Sequence, residues 1–472
     1  MNEIHYGISQ ETLVSNIEHQ SVPAKRLPQY IASLAATLGA LANGMILAWT
    51  SSAGEDGKDL QSLYNITISK DEFSWISSLA VVGSAIMCIP IGILADIIGR
   101  KGSMLLMVIP FTIGWLLLIF ANNLAMFYFG RFITGLSGAV FCVVAPIYTA
   151  EIAENEIRGS VGNYFPLLLT VGILLSYLLG TFVNMRILSI VSATIPVVFF
   201  VVFMFMPESP IYYLKKGLED SAKKSLIRLR GVEYDIETEL QHQKDALKEN
   251  KNTVSFWTLI HQRATLKGFI VAYGLMFFQQ LCGVNVVIFY TNYIFIKAGS
   301  TLDSHYLTII IGAMQILAVF VSTLTVDRVG RRILLLASII CSGLATFVLG
   351  IYFYLLDNDI DVNSITWLPP TSLCIFIIMF NIGFGPLPWM MLGELFAAEV
   401  KGVAASSACF LNAVLGFTVT KFFSNLTNAI GIGPTFWLFT VVCVIGMFFV
   451  YLLVPETKGK SLGDIQKELN GY

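Results

Sequence analysis

A chain of 472 residues that is 56% hydrophobic, 13% charged and near neutral, with a formal net charge of −2, is not built like a water-soluble protein, in which about a quarter of the residues are charged. No basic tract suggests a nucleic-acid partner, and none is expected. All seven cysteines (Cys88, Cys142, Cys282, Cys341, Cys374, Cys409, Cys443) lie in apolar runs without metal-ligand spacing, so neither a metal nor another cofactor is expected.

Residues 1–28 are polar, lack an apolar signal region and read as a cytoplasmic tail. Twelve apolar runs follow, at 31–49, 74–95, 103–121, 124–150, 160–183, 187–206, 268–290, 306–326, 333–355, 371–395, 403–428 and 434–454. About 20 residues cross a bilayer as a helix, so the lipid bilayer is the first partner and the expected fold is all-α, with twelve transmembrane helices. The runs are too long and unbroken for the alternating strands of a barrel. Only Asn122-Asn123 separates the third run from the fourth.

The first span carries Gly39, Ala42, Gly44 and Ala48 at helical spacing, a stripe that lets helix backbones approach closely. The loop after it contains the sequon Asn65-Ile66-Thr67, which makes Asn65 a candidate glycosylation site. A second sequon at Asn425 falls near the end of the eleventh run. Where the second run ends, Asp96 stands before Gly99-Arg100-Lys101; where the eighth ends, Asp327 stands before Gly330-Arg331-Arg332. Glu151 precedes Arg158-Gly159 by seven residues, as Glu394 precedes Lys401-Gly402, and Pro207-Glu208-Ser209 matches Pro455-Glu456-Thr457. These offsets of 231, 243 and 248 residues keep their order, so the chain reads as two homologous six-helix halves. The expected units are the tail at 1–28, a bundle at 29–206, a linker with short helices at 207–266, a bundle at 267–454 and a tail at 455–472.

With both termini cytoplasmic, all but six of the 29 basic residues (Lys58, Lys70, Arg131, Arg186, Lys297, Lys421) fall inside, and the opposite orientation would invert that excess. The matched charges Asp96, Arg100, Glu151, Arg158 and Glu208 then face Asp327, Arg331, Arg332, Glu394, Lys401 and Glu456 on the inner side. We expect these sets to form ion pairs that close the cytoplasmic end and break as it opens.

The linker segments SAKKSLIRLRG and IETELQHQKDALKENK suit short surface helices on the inner membrane face. The seventh run places Gln279, Gln280, Asn285, Tyr290 and Asn292 within four turns. In a continuous helix Gln279 would share a face with positions near 282–283 and 286, and Gln280 would be rotated by about 100°. Amides donate and accept, which suits a hydroxyl-rich uncharged solute. The tenth run holds Asn381, Gly383, Gly385, Pro386, Pro388 and Trp389; two prolines among glycines break a helix and free backbone groups for a binding site or gate. Trp389 serves equally as a sugar platform or a packing residue. Gln315 and Asn412 are single polar residues in apolar runs and are undecided on their own. The 31 carboxylates lie in loops or near helix ends, and none of the five histidines (His5, His19, His242, His261, His305) is in a run. Proton-coupled transporters carry a titratable group in their core, so this pattern favours uncoupled transport.

Joined together, D-x-x-G-R-K at 96–101, the run from Arg131 to Gly159, PESP at 207–210, QQLCGVN at 279–285, DRVGRR at 327–332, GFGPLPW at 383–389 and PETKGKSL at 455–462 resemble the sugar porter family of the major facilitator superfamily, from about residue 30 to 466. The resemblance implies two pseudo-symmetric six-helix bundles, alternating access and mono- or disaccharide substrates. It carries sugar contacts onto Gln279, Gln280, Asn285, Gln315, Trp389 and Asn412, and an exterior gate onto Tyr290; Asn381 is expected as a further substrate-binding residue. The family's fifth-span glutamine is Pro166 here, its often acidic tenth-span position is Asn381, and the aromatic after the eleventh-span asparagine is Ala413. Lys401 replaces an arginine, keeping the charge and losing the bidentate fork. The first span lacks the acid of the family's proton symporters. The LAWTSS close of that span (residues 47–52) is similar to the insect facilitated trehalose transporters. The reading is therefore a monomeric, non-enzymatic plasma-membrane uniporter for trehalose or a hexose such as glucose. A proton–sugar symporter is the nearest rival, and a non-transporting sugar receptor the next.

Overall fold

The computed structural model describes residues 23–154, 156–249, 262–299, 303–396, 398–460 and 462–470. It is helical throughout these residues, and twelve helices are long and apolar enough to cross a membrane. They run Arg26–Ala53, Lys70–Ile98, Arg100–Ile119, Leu124–Ile152, Arg158–Phe182 and Met185–Met204, then Arg263–Lys297, Ser304–Val326, Arg331–Asp357, Asn363–Leu395, Val403–Ile430 and Ile432–Leu453. The first helix begins inside the expected tail, and the seventh extends beyond its apolar run at both ends. His305 lies in the first turn of the eighth span, at the edge rather than in the loop before it.

Helix ends follow local chemistry. Asn123 accepts from the Met126 backbone N–H at 3.0 Å and starts the fourth span; Asn184 accepts from Ile187 at 3.0 Å and starts the sixth. Ser69 and Glu72 form a reciprocal capping box at the head of the second span. Close packing uses bare backbone. A methyl group on Gly44 would stand 2.1 Å from the Leu169 carbonyl oxygen and one on Gly172 2.1 Å from that of Leu41, so the first and fifth spans meet there without side chains between them.

Two spans are interrupted. The seventh divides into Arg263–Leu281 and Val284–Lys297, with Gly283 at φ 95°, a backbone setting that favours glycine. The break therefore interrupts the face that Gln279 would share with position 286 in a regular helix. The tenth divides into Leu368–Ile382 and Leu387–Leu395 around Gly383–Pro386. Proline at 386 and 388 removes two backbone donors, leaving carbonyls before the break to find other partners.

Past the sixth span, helices Pro210–Lys215, Glu219–Arg230 and Ile236–Glu249 lie at the end that also holds the Arg26 and Leu453 helix termini, hereafter the charged end. Ala222, Leu226, Ile236 and Leu240 give them a small core of their own. Arg230 fastens that layer to the membrane part, donating to the Ile152 carbonyl at 2.7 Å and pairing with Glu239 at 2.9 Å.

The halves meet chiefly where the second span packs on the eleventh and the fifth on the eighth. Toward the end remote from the charged layer, Tyr177 donates to the Ile288 carbonyl at 2.9 Å, the Asn292 backbone N–H reaches Ser51 Oγ at 3.3 Å, and Lys421 pairs with Asp71 at 2.5 Å. At mid-depth Cys88 Sγ lies 2.9 Å from Cys409 Sγ. Among the described residues no hydrogen bond or ion pair joins the halves at the charged end. The structure is closed at the remote end.

Candidate functional site

The broken tenth span and the broken seventh span solve each other's problem. Carbonyls freed at Phe384 and Gly385 accept from Gln279 Nε2 at 2.6 and 2.9 Å. With its nitrogen committed, Gln279 presents Oε1 to Asn412 Nδ2 at 2.7 Å. Asn412 then offers Oδ1 to Gln280 Nε2 at 2.8 Å, and Gln280 offers Oε1 to Asn285 Nδ2 at 2.8 Å. Two backbone carbonyls thus fix the direction of four amides in series. Asn285 is half-buried, and its Oδ1 has no hydrogen-bond partner among the described residues.

Gly416 keeps this chain intact, because a methyl group there would stand 2.7 Å from Asn285 Nδ2. Gln315 is placed differently. It is buried, yet neither of its amide atoms finds a partner; a buried unsatisfied amide calls for an explanation. It lies one turn beyond Gly312, which packs on Leu174 and Tyr177 of the other half. Asn381 Nδ2 bonds back to the Ile377 carbonyl of its own helix at 2.9 Å and stays outside the series. Trp389 is 42% exposed, so it is not a packed core tryptophan. Tyr290 is buried where the remote end closes, donates to the Thr420 carbonyl at 3.2 Å and has Phe73 of the other half 6.5 Å away, ring to ring.

The charge motifs form two similar networks, each inside its own half. Gly99 (φ 94°) and Gly330 (φ 102°) turn the chain so that the next helix begins with free N–H groups. Glu208 accepts from the backbone of Arg100 and Lys101 at 3.1 and 2.9 Å; Glu456 accepts from Arg331 and Arg332 at 3.0 Å each. A carboxylate at a helix N-terminus is favoured by those donors and the helix dipole. Arg100 pairs with Glu151 at 2.9 Å and Asp96 at 2.9 Å, as Arg331 pairs with Glu394 at 3.1 Å. Ser209 donates to Glu151, and Thr457 to Glu394 at 2.5 Å.

The expected pairing across the halves is thus absent among the described residues in this conformation. Arg158 is exposed and makes no ion pair there. The side chains of Asp327 and Lys401 lie outside the described residues. Burial raises the Glu208 carboxyl above its ordinary range despite N–H groups from Ser209, Lys101 and Gly102. Burial also pushes Glu456 upward, but four backbone N–H groups outweigh it and hold that carboxyl low.

Sequence reasoning left two cations unexplained. Arg131 is fully buried in the fourth span, donates to the Ile76 and Ile46 carbonyls at 3.0 and 2.9 Å and lies 5.3 Å from the Trp49 ring. It has no carboxylate partner among the described residues. Lys421, counted above only as one of the outside charges, is buried in the eleventh span. Its position inside an apolar run was the available signal. Asn65 ends a short helix, is exposed, and has φ 54°.

The model of the family described as "Sugar (and other) transporter" matches residues 30–469. The chain is 39% identical over 447 residues to the facilitated trehalose transporter Tret1 of Drosophila yakuba, covering 94% of this chain and 52% of that protein; it thus spans about half the length of that relative. It is 38% identical over 459 residues to the facilitated trehalose transporter Tret1-2 homolog of Drosophila sechellia, covering 96% of this chain and 94% of the relative. Among solved structures, the xylose transporter XylE from E. coli in a partially occluded inward open conformation superposes with a TM-score of 0.77 at 21% identity, covering 92% and 99% of the two chains. XylE described as a proton:xylose symporter, bound to 6-bromo-6-deoxy-D-glucose, gives 0.76, also at 21% identity, covering 93% and 99%.

Proposed function

The chain belongs to the sugar transporter family matched over residues 30–469, and we propose that within it the protein is a uniporter for trehalose or a hexose such as glucose, working by alternating access between its two bundles. The observation that carries this reading is the oriented series Gln279, Asn412, Gln280 and Asn285. It offers a hydroxyl-bearing solute hydrogen-bond groups with no net charge. In our reading Gln315 takes its missing partners from the sugar, Trp389 lends an aromatic face, and Tyr290 belongs to the gate at the remote end. Asn381 adds a polar group at the tenth-span break.

Uncoupled transport is supported by what surrounds Arg131. A proton relay through the membrane uses titratable Asp, Glu or His side chains; around Arg131 carbonyls and a tryptophan ring stand instead, with no carboxylate partner among the described residues. Topology follows the excess of Lys and Arg at the charged end, which we assign to the cytoplasm of a plasma-membrane protein. The 29–206 and 267–454 bundles are the moving bodies, with 207–266 bridging them, and one chain is the transport unit.

Proteoliposomes containing only this protein test the reading. Labelled trehalose and glucose should each be offered, with a pH dye inside the vesicles. The expected result is equilibration of at least one sugar with no change in internal pH. Uphill uptake driven by a proton gradient would establish the symporter instead, and binding without flux a receptor.

A further inference from the structure

Lys421 forms an ion pair between the two halves. Its ammonium lies 2.5 Å from Asp71 Oδ1 and 2.8 Å from Ser74 Oγ, and 4.6 Å from the centre of the Trp75 ring. The Lys421 side chain is 6% exposed and that of Asp71 62%. A lysine inside a membrane span is costly unless its charge is met. Here carboxylate, hydroxyl and ring face all come from one turn of the second span, in the other half of the protein.

We propose that Lys421 and Asp71 form a latch that holds the remote end closed, and that opening this end strips Lys421 of every partner just named. The proposal rests on the transport reading only for the identification of the remote end as the exterior. Its physics needs no sugar. Nearby contacts are of a different kind: Trp75 lies 5.9 Å from Phe417 and Phe73 lies 6.5 Å from Tyr290, ring to ring. Such apolar faces separate with little preference for a single geometry. A buried ammonium bound by three groups does not, because losing them leaves a charge with only water reaching into the gap to replace them. Lys421 is therefore a positioning residue: it sets how much of the population is closed toward the exterior, and so the step at which an empty carrier waits.

Where the fifth span meets the seventh, Tyr177 donates to the Ile288 carbonyl and lies 3.4 Å from Thr291 Oγ1. Those contacts are neutral.

The test uses thiol labelling in proteoliposomes. Thr50 is buried beside the Ser51–Asn292 contact, and its hydroxyl has no partner, so Thr50→Cys places a near-isosteric reporter behind the gate. A membrane-impermeant maleimide is added from outside. In T50C alone labelling should be slow; in T50C/K421M it should rise about tenfold, the discount from a fully buried pair reflecting the exposure of Asp71. T50C/D71N should rise similarly, and adding K421M to D71N should bring little further increase, as for two groups in one interaction. Parental labelling in both single variants, or fully multiplicative effects in the double, would overturn the latch. If K421M does not insert, D71N alone decides. Because labelling requires no substrate, loss of the latch remains distinguishable from failure to transport sugar.

Discussion

Asn412 donates to Gln279 at 2.7 Å, and this one bond ties the eleventh span to both broken helices. Gln279 already spends its own nitrogen on the carbonyls of Phe384 and Gly385. The direction of every later amide follows from those carbonyls, and the series ends on an acceptor, Asn285 Oδ1. A solute hydroxyl that donates there completes it.

Reversing the end of the series is expected to harm binding more than shortening it. Asn285→Asp sets a carboxylate against Gln280 Oε1, which can only accept, whereas Asn285→Ser removes the contact. A hydrogen bond within such a series is worth about 1–2 kcal/mol. Sugar uptake measured against concentration should show KM raised about tenfold in N285S and more in N285D. Equal values would show that the amide direction is irrelevant.

Gln315→Leu should separate stability from function. Both amide atoms of Gln315 are buried without partners, so an apolar isostere removes a desolvation cost of about 1–3 kcal/mol. The sugar-free variant should melt higher than the parent, and added sugar should raise its melting temperature less. A lower melting temperature without sugar would mean that the amide is satisfied in the resting protein.

The fold was legible in the sequence because its signals are long. Twelve apolar runs and three ordered motif pairs leave little freedom of architecture. Gln279, Gln280 and Asn285 stood out because amides are conspicuous among apolar residues. Their connection did not, since it depends on Gly283 breaking the helix between Gln280 and Asn285 and on carbonyls freed a hundred residues away. The charge motifs carried a different ambiguity. Matched sets in two halves suggest partners across the gap, yet Arg100 finds Glu151 and Arg331 finds Glu394 within each half. Sequence periodicity cannot separate pairing within repeats from pairing between them.

Glu208 and Glu456 occupy matched positions but should answer pH oppositely. Burial holds the Glu208 carboxyl above its ordinary range; its stabilising contribution is complete in acid and is lost as pH rises through that raised value. At Glu456 burial is outweighed by backbone N–H groups, so its contribution is present at neutral pH and lost as pH falls through the lowered value. In detergent at pH 7, E456Q should lose about 1 kcal/mol at this half-exposed site, and E208Q should match or exceed the parent. The reverse order would mean that the Arg100–Lys101 donors outweigh burial at Glu208.

Arg158 has no ion pair among the described residues while the charged end is open. If it pairs across the halves when that end shuts, Arg158→Glu should shift the population toward the conformation described here, slow labelling of T50C from outside, and leave the unfolding free energy within about 0.5 kcal/mol of the parent, as for an exposed substitution. Unchanged labelling would remove Arg158 from the gate.

Cys88 and Cys409 provide a direct measure of relative motion at mid-depth. They belong to the second and eleventh spans, the pair that also carries the Asp71–Lys421 contact, and their sulfur atoms are 2.9 Å apart. A disulfide requires about 2.05 Å between sulfurs, a distance that small rotations of the two side chains can cover. Two equivalents of a membrane-permeant copper(II) complex would each accept one electron and become copper(I) as both thiols lose protons and the S–S bond forms. If these spans part during each cycle, the crosslinked protein cannot complete one. Uptake should then fall at least about tenfold and recover with dithiothreitol, while Cys409→Ser should be insensitive. Mass spectrometry of the joined peptides must accompany the flux measurement, because full transport in a quantitatively crosslinked sample would show that the halves pivot about this point rather than separate at it.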